Sequence, residues 1–238
     1  MKPVVAPVKN VSATQIAFST LFQRAYGVPG IGLIHGPSGY GKTTTTTYLY
    51  NQVNGIYVSA RAHDTTQSIT SRIVEELGSE PCRNINKNID FIIEQMSMYE
   101  RPLFIDEADY MMGDVRMLET VRDLYDGTEV PVILIGMDQI ARRISTRKQF
   151  YNRISEWVEF KPADLEDVQI MADNLLEDGV TADEALLDHL RHCACGEMRR
   201  ITIGLTKIEH LALANELEVV TLADWGDQPF HGLRAPMA

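Results

Sequence analysis

Short apolar runs alternate with amphipathic stretches as far as Phe160. GIGLIH (30–35), GIYVSA (55–60), PLFID (102–106), VPVILIG (130–136) and EWVEF (156–160) are each brief and mostly apolar, the pattern of strands covered on both faces. Between them, 65–77 carries Ile69, Ile73 and Leu77 at fourfold spacing, and 89–96 and 115–125 are amphipathic in the same way. Strands alternating with helices predict an α/β fold built on a five-stranded parallel sheet. Past Pro162 the strand signals stop, and 164–176, 182–194 and 197–217 predict three helices separated by Gly179 and Gly196. The expected organisation is an N-terminal segment and helix (1–28), an α/β domain (29–161), a small helical lid (162–225) and a flexible tail (226–238) punctuated by Gly226, Pro229, Gly232 and Pro236.

The composition, 45% hydrophobic and 23% charged over 238 residues, is that of a folded globular chain. No run approaches the roughly 18 apolar residues of a membrane span, and the prolines of MKPVVAPVKN interrupt any signal-peptide core. The expectation is a cytoplasmic protein with no membrane partner. Cys82, Cys193 and Cys195 do not form a disulfide framework, which agrees with a reducing compartment. The net charge of -11 is uneven. Residues 164–188 hold many acids and no lysine or arginine, whereas 139–161 holds Arg142, Arg143, Arg147, Lys148, Arg153 and Lys161 against Glu156 and Glu159. Any surface for a polyanion is therefore local.

The most specific chemistry lies in HGPSGYGKTTTTTYLYNQ (35–52). Gly36, Pro37, Ser38, Gly39, Tyr40, Gly41, Lys42 and Thr43 fit G-x-x-x-x-G-K-[ST] between a predicted strand and a predicted helix, the context of a phosphate-binding loop. The glycines let backbone N–H groups close around phosphates, and the helix start adds its positive dipole end. Lys42 is expected on the β- and γ-phosphates of ATP, Thr43 on Mg²⁺, and Thr44 on a further phosphate oxygen. The remaining threonines cost helix propensity, roughly half a kcal/mol each relative to alanine. A low-complexity tract would not resume an apolar pattern at Tyr48, Leu49 and Val53 as this one does.

LFIDEAD (103–109) ends a predicted buried strand in acids. At the carboxyl edge of an α/β sheet, where ligands bind, Asp106 is expected in the Mg²⁺ shell and Glu107 as the group that orients and activates the attacking water. Two acids in this setting point to hydrolysis and away from a phosphotransferase with a small substrate.

GPSGYGKT and LFIDEAD, followed by ILIGMD, FYNRI and GEMRR, resemble the AAA+ ATPases. Within them they resemble the branch that includes transposition ATPases of the phage Mu B and TnsC kind, secretion ATPases of the ExeA kind, and origin initiators. The resemblance covers roughly residues 12–225. It implies an ATP-dependent oligomer, as a helical filament or ring, on double-stranded DNA bound without sequence preference, with a transposase as protein partner. The P-loop begins at Gly36, which leaves no room ahead of it for the helix-turn-helix domain of the Mu protein, so DNA contacts would come from the ATPase domain itself. By position in the motifs, Arg153 matches the arginine finger that acts in trans, and Arg199 the lid arginine that contacts nucleotide, with Arg200 as the neighbouring alternative. Met137 stands where the first sensor is usually polar; Asp138 is then its substitute, and slow hydrolysis is expected.

Candidate DNA contacts are Arg61, Arg83 and Lys87, where initiator-type relatives contact DNA, and Arg142, Arg143, Arg147 and Lys148; all could equally be solvated surface. His189, His192 and Cys193 share a helix face, which suits an incidental lid surface better than a metal site. A rival reading is an AAA+ switch with a protein partner and no DNA binding.

Overall fold

The computed structural model describes residues 1–231. The chain folds into two compact units. One comprises Ala13–Pro37 and Lys42–Phe160; the other comprises Met1–Ser12, Ser38–Gly41 and the described residues from Lys161 on.

The first unit carries strands β1 (Ile31–His35), β2 (Ile56–Ser59), β3 (Leu103–Asp106), β4 (Val132–Gly136) and β5 (Ile154–Glu159) in one five-stranded sheet of order β2-β3-β4-β1-β5. Every pairing is parallel. All five expected strands form, and the central ones are apolar because helices cover both of their faces: Ile31, Leu33, Leu103, Ile105, Val132 and Leu134 are fully buried. The helices in chain order are α1 (Lys9–Phe22), α2 (Lys42–Gln52), α3 (Thr66–Glu76), α4 (Ile85–Tyr99), α5 (Val115–Thr128), α6 (Asp138–Ser145) and α7 (Lys148–Tyr151). Helix α4 begins ahead of the apolar stripe that predicts it, because Asn84 caps it by accepting the Asn86 N–H at 3.0 Å.

The threonine run forms the body of α2. Thr45 and Thr46 are buried, and the Thr46 hydroxyl donates to the carbonyls of Lys42 and Thr43, both at 3.1 Å. A threonine can enter this tight space because its methyl packs while its hydroxyl is satisfied within the helix.

The second unit holds helices α8 (Leu165–Leu175), α9 (Glu184–Ala194), α10 (Met198–Ala214) and α11 (Leu222–Trp225) around Val168, Leu186, Leu190, Ile201, Leu205 and Ile208. Part of the acidic run is spent on helix starts: Asp164 accepts the Asp167 N–H at 3.0 Å, and Asp183 accepts the Leu186 N–H at 2.8 Å.

Two expectations are corrected here. Strand structure does not end at Pro162, since β6 (Thr181–Ala182) and β7 (Val219–Val220) form a parallel pair; strands of two residues are too short to show a period. The expected loose tail is docked up to His231. Phe230 is 2% exposed and stacks on Trp225 with ring centroids 4.2 Å apart, and the indole N–H of Trp225 donates to the Gln228 carbonyl at 2.7 Å. The rest of that predicted tail, 232–238, lies outside the described residues.

Candidate active site

Strand β1 delivers His35 into a loop whose glycines take backbone angles closed to other residues. Gly36, Gly39 and Gly41 have φ of 149°, 85° and 92°. At Gly36 a Cβ would also stand 2.8 Å from the Phe160 carbonyl oxygen. Lys42 then opens α2, and its buried ammonium donates to the carbonyls of Gly36 at 2.6 Å and Pro37 at 2.8 Å. Burial pulls that ammonium below the ordinary lysine value, opposed by the charges of Asp106, Asp138, Glu107 and Asp109. A cation stripped of water and drawn toward acids is suited to bind the phosphates of a polyanion.

Asp106, at the end of β3, is the hub. Its Oδ2 accepts the Thr43 hydroxyl at 2.9 Å and the Tyr57 phenol at 2.7 Å, while its Oδ1 accepts the Glu107 N–H at 2.7 Å. Tyr57 comes from β2, where it pairs with Phe104 while Ser59 pairs with Asp106, so Tyr57 and Asp106 are diagonal neighbours on one face of the sheet. Burial and then the hydrogen bond to Asp106 push the Tyr57 phenol well above its ordinary pKa, keeping it a donor. The Tyr57 ring stacks on Tyr50 with centroids 5.0 Å apart.

Glu107 is exposed with φ of 53°. A non-glycine residue in the left-handed region is strained, a state that collects at functional sites; here it turns the chain sharply after β3 into the 3-10 turn Ala108–Met111. Asp109, on that turn, accepts the Met137 N–H at 2.6 Å and so fixes the start of α6. Asp138 is exposed in the first turn of α6, and its charge acts on both Lys42 and His35. His35 is held below its ordinary pKa, mainly by burial.

The donor set fits Mg²⁺ and a nucleoside triphosphate. Thr43 and Asp106 offer hard oxygens within one hydrogen bond of each other, the combination that suits this cation, and Lys42 stands beside the glycine cradle. Bound there, Mg²⁺ would neutralise charge on the phosphates. Thr44 is exposed one residue further along α2. Sequence reading missed Tyr57 and Asp109, whose roles depend on strand register and on a turn.

Ser38–Gly41, the tip of the loop, belongs to the helical unit. There the Arg199 N–H donates to the Gly39 carbonyl at 3.0 Å, while Arg200 lies 3.9 Å from Glu197. Arg153 precedes β5, and its carbonyl accepts the Ile31 N–H at 3.2 Å. It is thus at the amino edge of the sheet, about 16 Å of strand from its own P-loop, and its side chain is paired with Asp126. Arg61, Arg83, Lys87, Arg142, Arg143 and Lys148 are exposed. Arg147 is half-buried and donates to the Met112 carbonyl at 2.8 Å. His189 touches Cys193 at 3.7 Å, and among the described residues no group of three acids, histidines or cysteines is placed to hold a metal. No helix of the described residues is long and apolar enough to cross a membrane.

A family model described as AAA domain matches residues 26–144, from ahead of β1 to the end of α6. The chain belongs to the AAA domain family. Among solved structures, this AAA domain protein is similar to Aeropyrum pernix ORC2 in its ADPNP–ADP complexes, with TM-score 0.68 and 17% identity over 94% of this chain and 68% of that one. It is also similar to A. pernix ORC1 in complex with DNA (TM-score 0.61, 16% identity, 90% and 62% covered) and to Pyrobaculum aerophilum Cdc6p (0.62, 14%, 92% and 66%). The AAA domain protein thus spans about two thirds of the length of these structures, or slightly less. No curated protein matches it in sequence. At such identities the likeness is one of fold: a P-loop α/β AAA domain whose five-stranded parallel sheet matches the ORC and Cdc6 structures.

Proposed function

We propose that this protein is an ATP-hydrolysing switch whose ATP-bound assembly holds double-stranded DNA without sequence preference. The observation that carries the reading is the joining of Thr43, Tyr57 and the Glu107 N–H on the Asp106 carboxylate, with Lys42 curled over the adjacent loop. In this reading Lys42, Thr44 and the N–H groups of residues 36–43 bind the triphosphate, Thr43 and Asp106 hold Mg²⁺, and Glu107 orients the attacking water. Asp138 serves as first sensor, and Arg199 contacts nucleotide alongside Gly39.

Arg153 is the finger for a second copy. Its separation from its own P-loop supports this, since no arginine side chain bridges that length of strand. Exposed Arg61, Arg83, Lys87, Arg142, Arg143 and Lys148 are the proposed phosphate contacts; Arg147, committed to Met112, is the weakest of the set. Likeness in fold to A. pernix ORC1 in complex with DNA supports a DNA role. The motif resemblance narrows that role to target capture and transposase activation in DNA transposition.

The test is ATP turnover and duplex binding measured together. Turnover should rise with duplex of any sequence, binding should require ATP, and log affinity should fall linearly with log salt. Turnover that ignores duplex, with no salt-sensitive binding by the assembled protein, would leave the switch with a protein partner as the function.

A further inference from the structure

Arg153 does not hang free at the amino edge. Its Nε donates to Asp126 Oδ1 at 3.0 Å and its Nη2 to Asp126 Oδ2 at 2.9 Å. That side-on pairing uses both carboxylate oxygens and one edge of the guanidinium. Nη1 bonds no acceptor among the described residues, so the other edge, with its outward N–H groups, stays available for a second anion.

Both partners are rigidly mounted. The Arg153 carbonyl is tied to the Ile31 N–H at the start of β1. Asp126 lies on α5 next to buried Tyr125, whose hydroxyl accepts the Gly30 N–H at 2.8 Å. Arg122, paired with Glu119 and Asp123 on the same helix, also brings its Nε to 3.8 Å from Asp126 Oδ2. The pair lines an open recess of about 520 Å³ shared with Arg24, Tyr26 and Val28. Arg24 in the same recess is tied by Nε, Nη1 and Nη2 to the carbonyls of Val28, Leu21 and Glu129, whereas the Nη1 of Arg153 bonds no acceptor among the described residues. Tyr26, 95% exposed, stands at the rim.

As a stabilising contact the pair has little to do. The side chains of Arg153 and Asp126 are 40% and 38% exposed, and ion pairs that open to water contribute about 0–1 kcal/mol. As an orienting device it has a clear role, because it removes the rotamer freedom of a long side chain before its target arrives.

The geometry points to Asp126 as a positioning residue: it holds the Arg153 guanidinium side-on so that the Nη1 edge meets the terminal phosphate of ATP on a second copy of this chain. This rests on the reading of Arg153 as a finger in trans, and the experiment separates the two. Arg153→Ala is measured first, under assembly conditions, and should lower kcat by on the order of 10³. Asp126→Asn, which keeps the shape but loses the second acceptor, should lower kcat by roughly 10-fold or more, with KM and the equilibrium affinity for a fluorescent ATP analogue unchanged. Asp126→Glu, which retains a carboxylate, should hold kcat above that of Asp126→Asn.

Mixing provides a readout that a folding defect would not give. Asp126→Asn subunits mixed with Lys42→Ala subunits should recover turnover, since the latter bring an intact finger; mixed with Arg153→Ala subunits they should recover none. If Arg153→Ala loses turnover while Asp126→Asn keeps or raises it, or if Asp126→Asn complements Arg153→Ala, Asp126 does not position the finger. Full turnover by Arg153→Ala would instead remove the trans reading on which the inference stands.

Discussion

Tyr57→Phe removes one hydroxyl and leaves the ring, its stack on Tyr50 and the β2 pairing in place. The lost bond is 2.7 Å long and ends on a carboxylate that is 5% exposed, so water cannot freely replace it. Hydrogen bonds to charged groups contribute about 1.5–3 kcal/mol; with Thr43 and the Glu107 N–H still on Asp106, about 1–2 kcal/mol of stability should go. For a chain of this size that is a fall in Tm of about 2–8 °C.

The effect on metal should be more telling. In the proposed site Thr43 turns to Mg²⁺, and Asp106 then relies on Tyr57 and the Glu107 N–H alone for its orientation. Losing Tyr57 at that point should weaken the magnesium-dependent part of ATP affinity by about 1 kcal/mol, roughly 5-fold. Nucleotide binding in EDTA should hardly change. Titration of a fluorescent ATP analogue with and without Mg²⁺, alongside thermal unfolding, measures both. A variant that melts like the parent and keeps the same ratio of affinities would show that Tyr57 does not support Asp106.

Lys42→Ala should abolish tight ATP binding in equilibrium titration, because it removes the buried ammonium beside the glycine cradle; near-parental affinity would sink that role. Glu107→Gln should keep ATP bound while turnover drops at least 10²-fold in a phosphate-release assay, and equal loss of binding would merge its role with that of Asp106. His35 is held below its ordinary pKa by burial, so the unfolded chain binds the extra proton first as pH falls. Stability from this group is complete above about pH 6.5 and declines as pH drops through the lower folded value. Denaturant unfolding from pH 7.5 to 5 should therefore show a steeper acid loss in the parent than in His35→Gln, and parallel curves would contradict the assignment.

What the sequence reveals of this site is whatever is contiguous in it. The glycines of 36–41, Lys42 and Thr43 follow one another, and the backbone between a strand and a helix leaves them one arrangement, so their spacing suffices. Asp106 and Glu107 are legible for the same reason, at the end of an apolar run. Tyr57 is not, because its reach to Asp106 depends on β2 pairing β3 with Ser59 opposite Asp106, and one residue of slip would turn it to the other face. Asp126 is hidden differently: it is one acid among Glu119, Asp123 and Glu129 on or beside α5, and only the fold brings it to Arg153. The early start of α4 and the short β6–β7 pair escape for lack of periodic apolar signal, and the docking of Phe230 because turn residues surround it.

On the proposed reading, the two edges of the sheet also explain why nucleotide would gate assembly. The P-loop at the carboxyl edge presents Lys42 and a ring of N–H groups, and the amino edge presents Arg153. Without ATP the carboxyl edge holds Lys42 among Asp106, Glu107, Asp109 and Asp138 but offers no phosphate for the guanidinium of an adjacent copy to meet. A bound triphosphate would supply that anion and match the guanidinium edge that Asp126 leaves unused. Because the two surfaces lie at opposite ends of the same strands, the proposed contact would be head-to-tail, and its repetition would yield a ring or a helical filament according to whether its rotation closes. Each added copy would also repeat the exposed arginines and lysines that one acidic subunit offers too sparsely to hold DNA, so affinity for the duplex would grow with the length of the assembly.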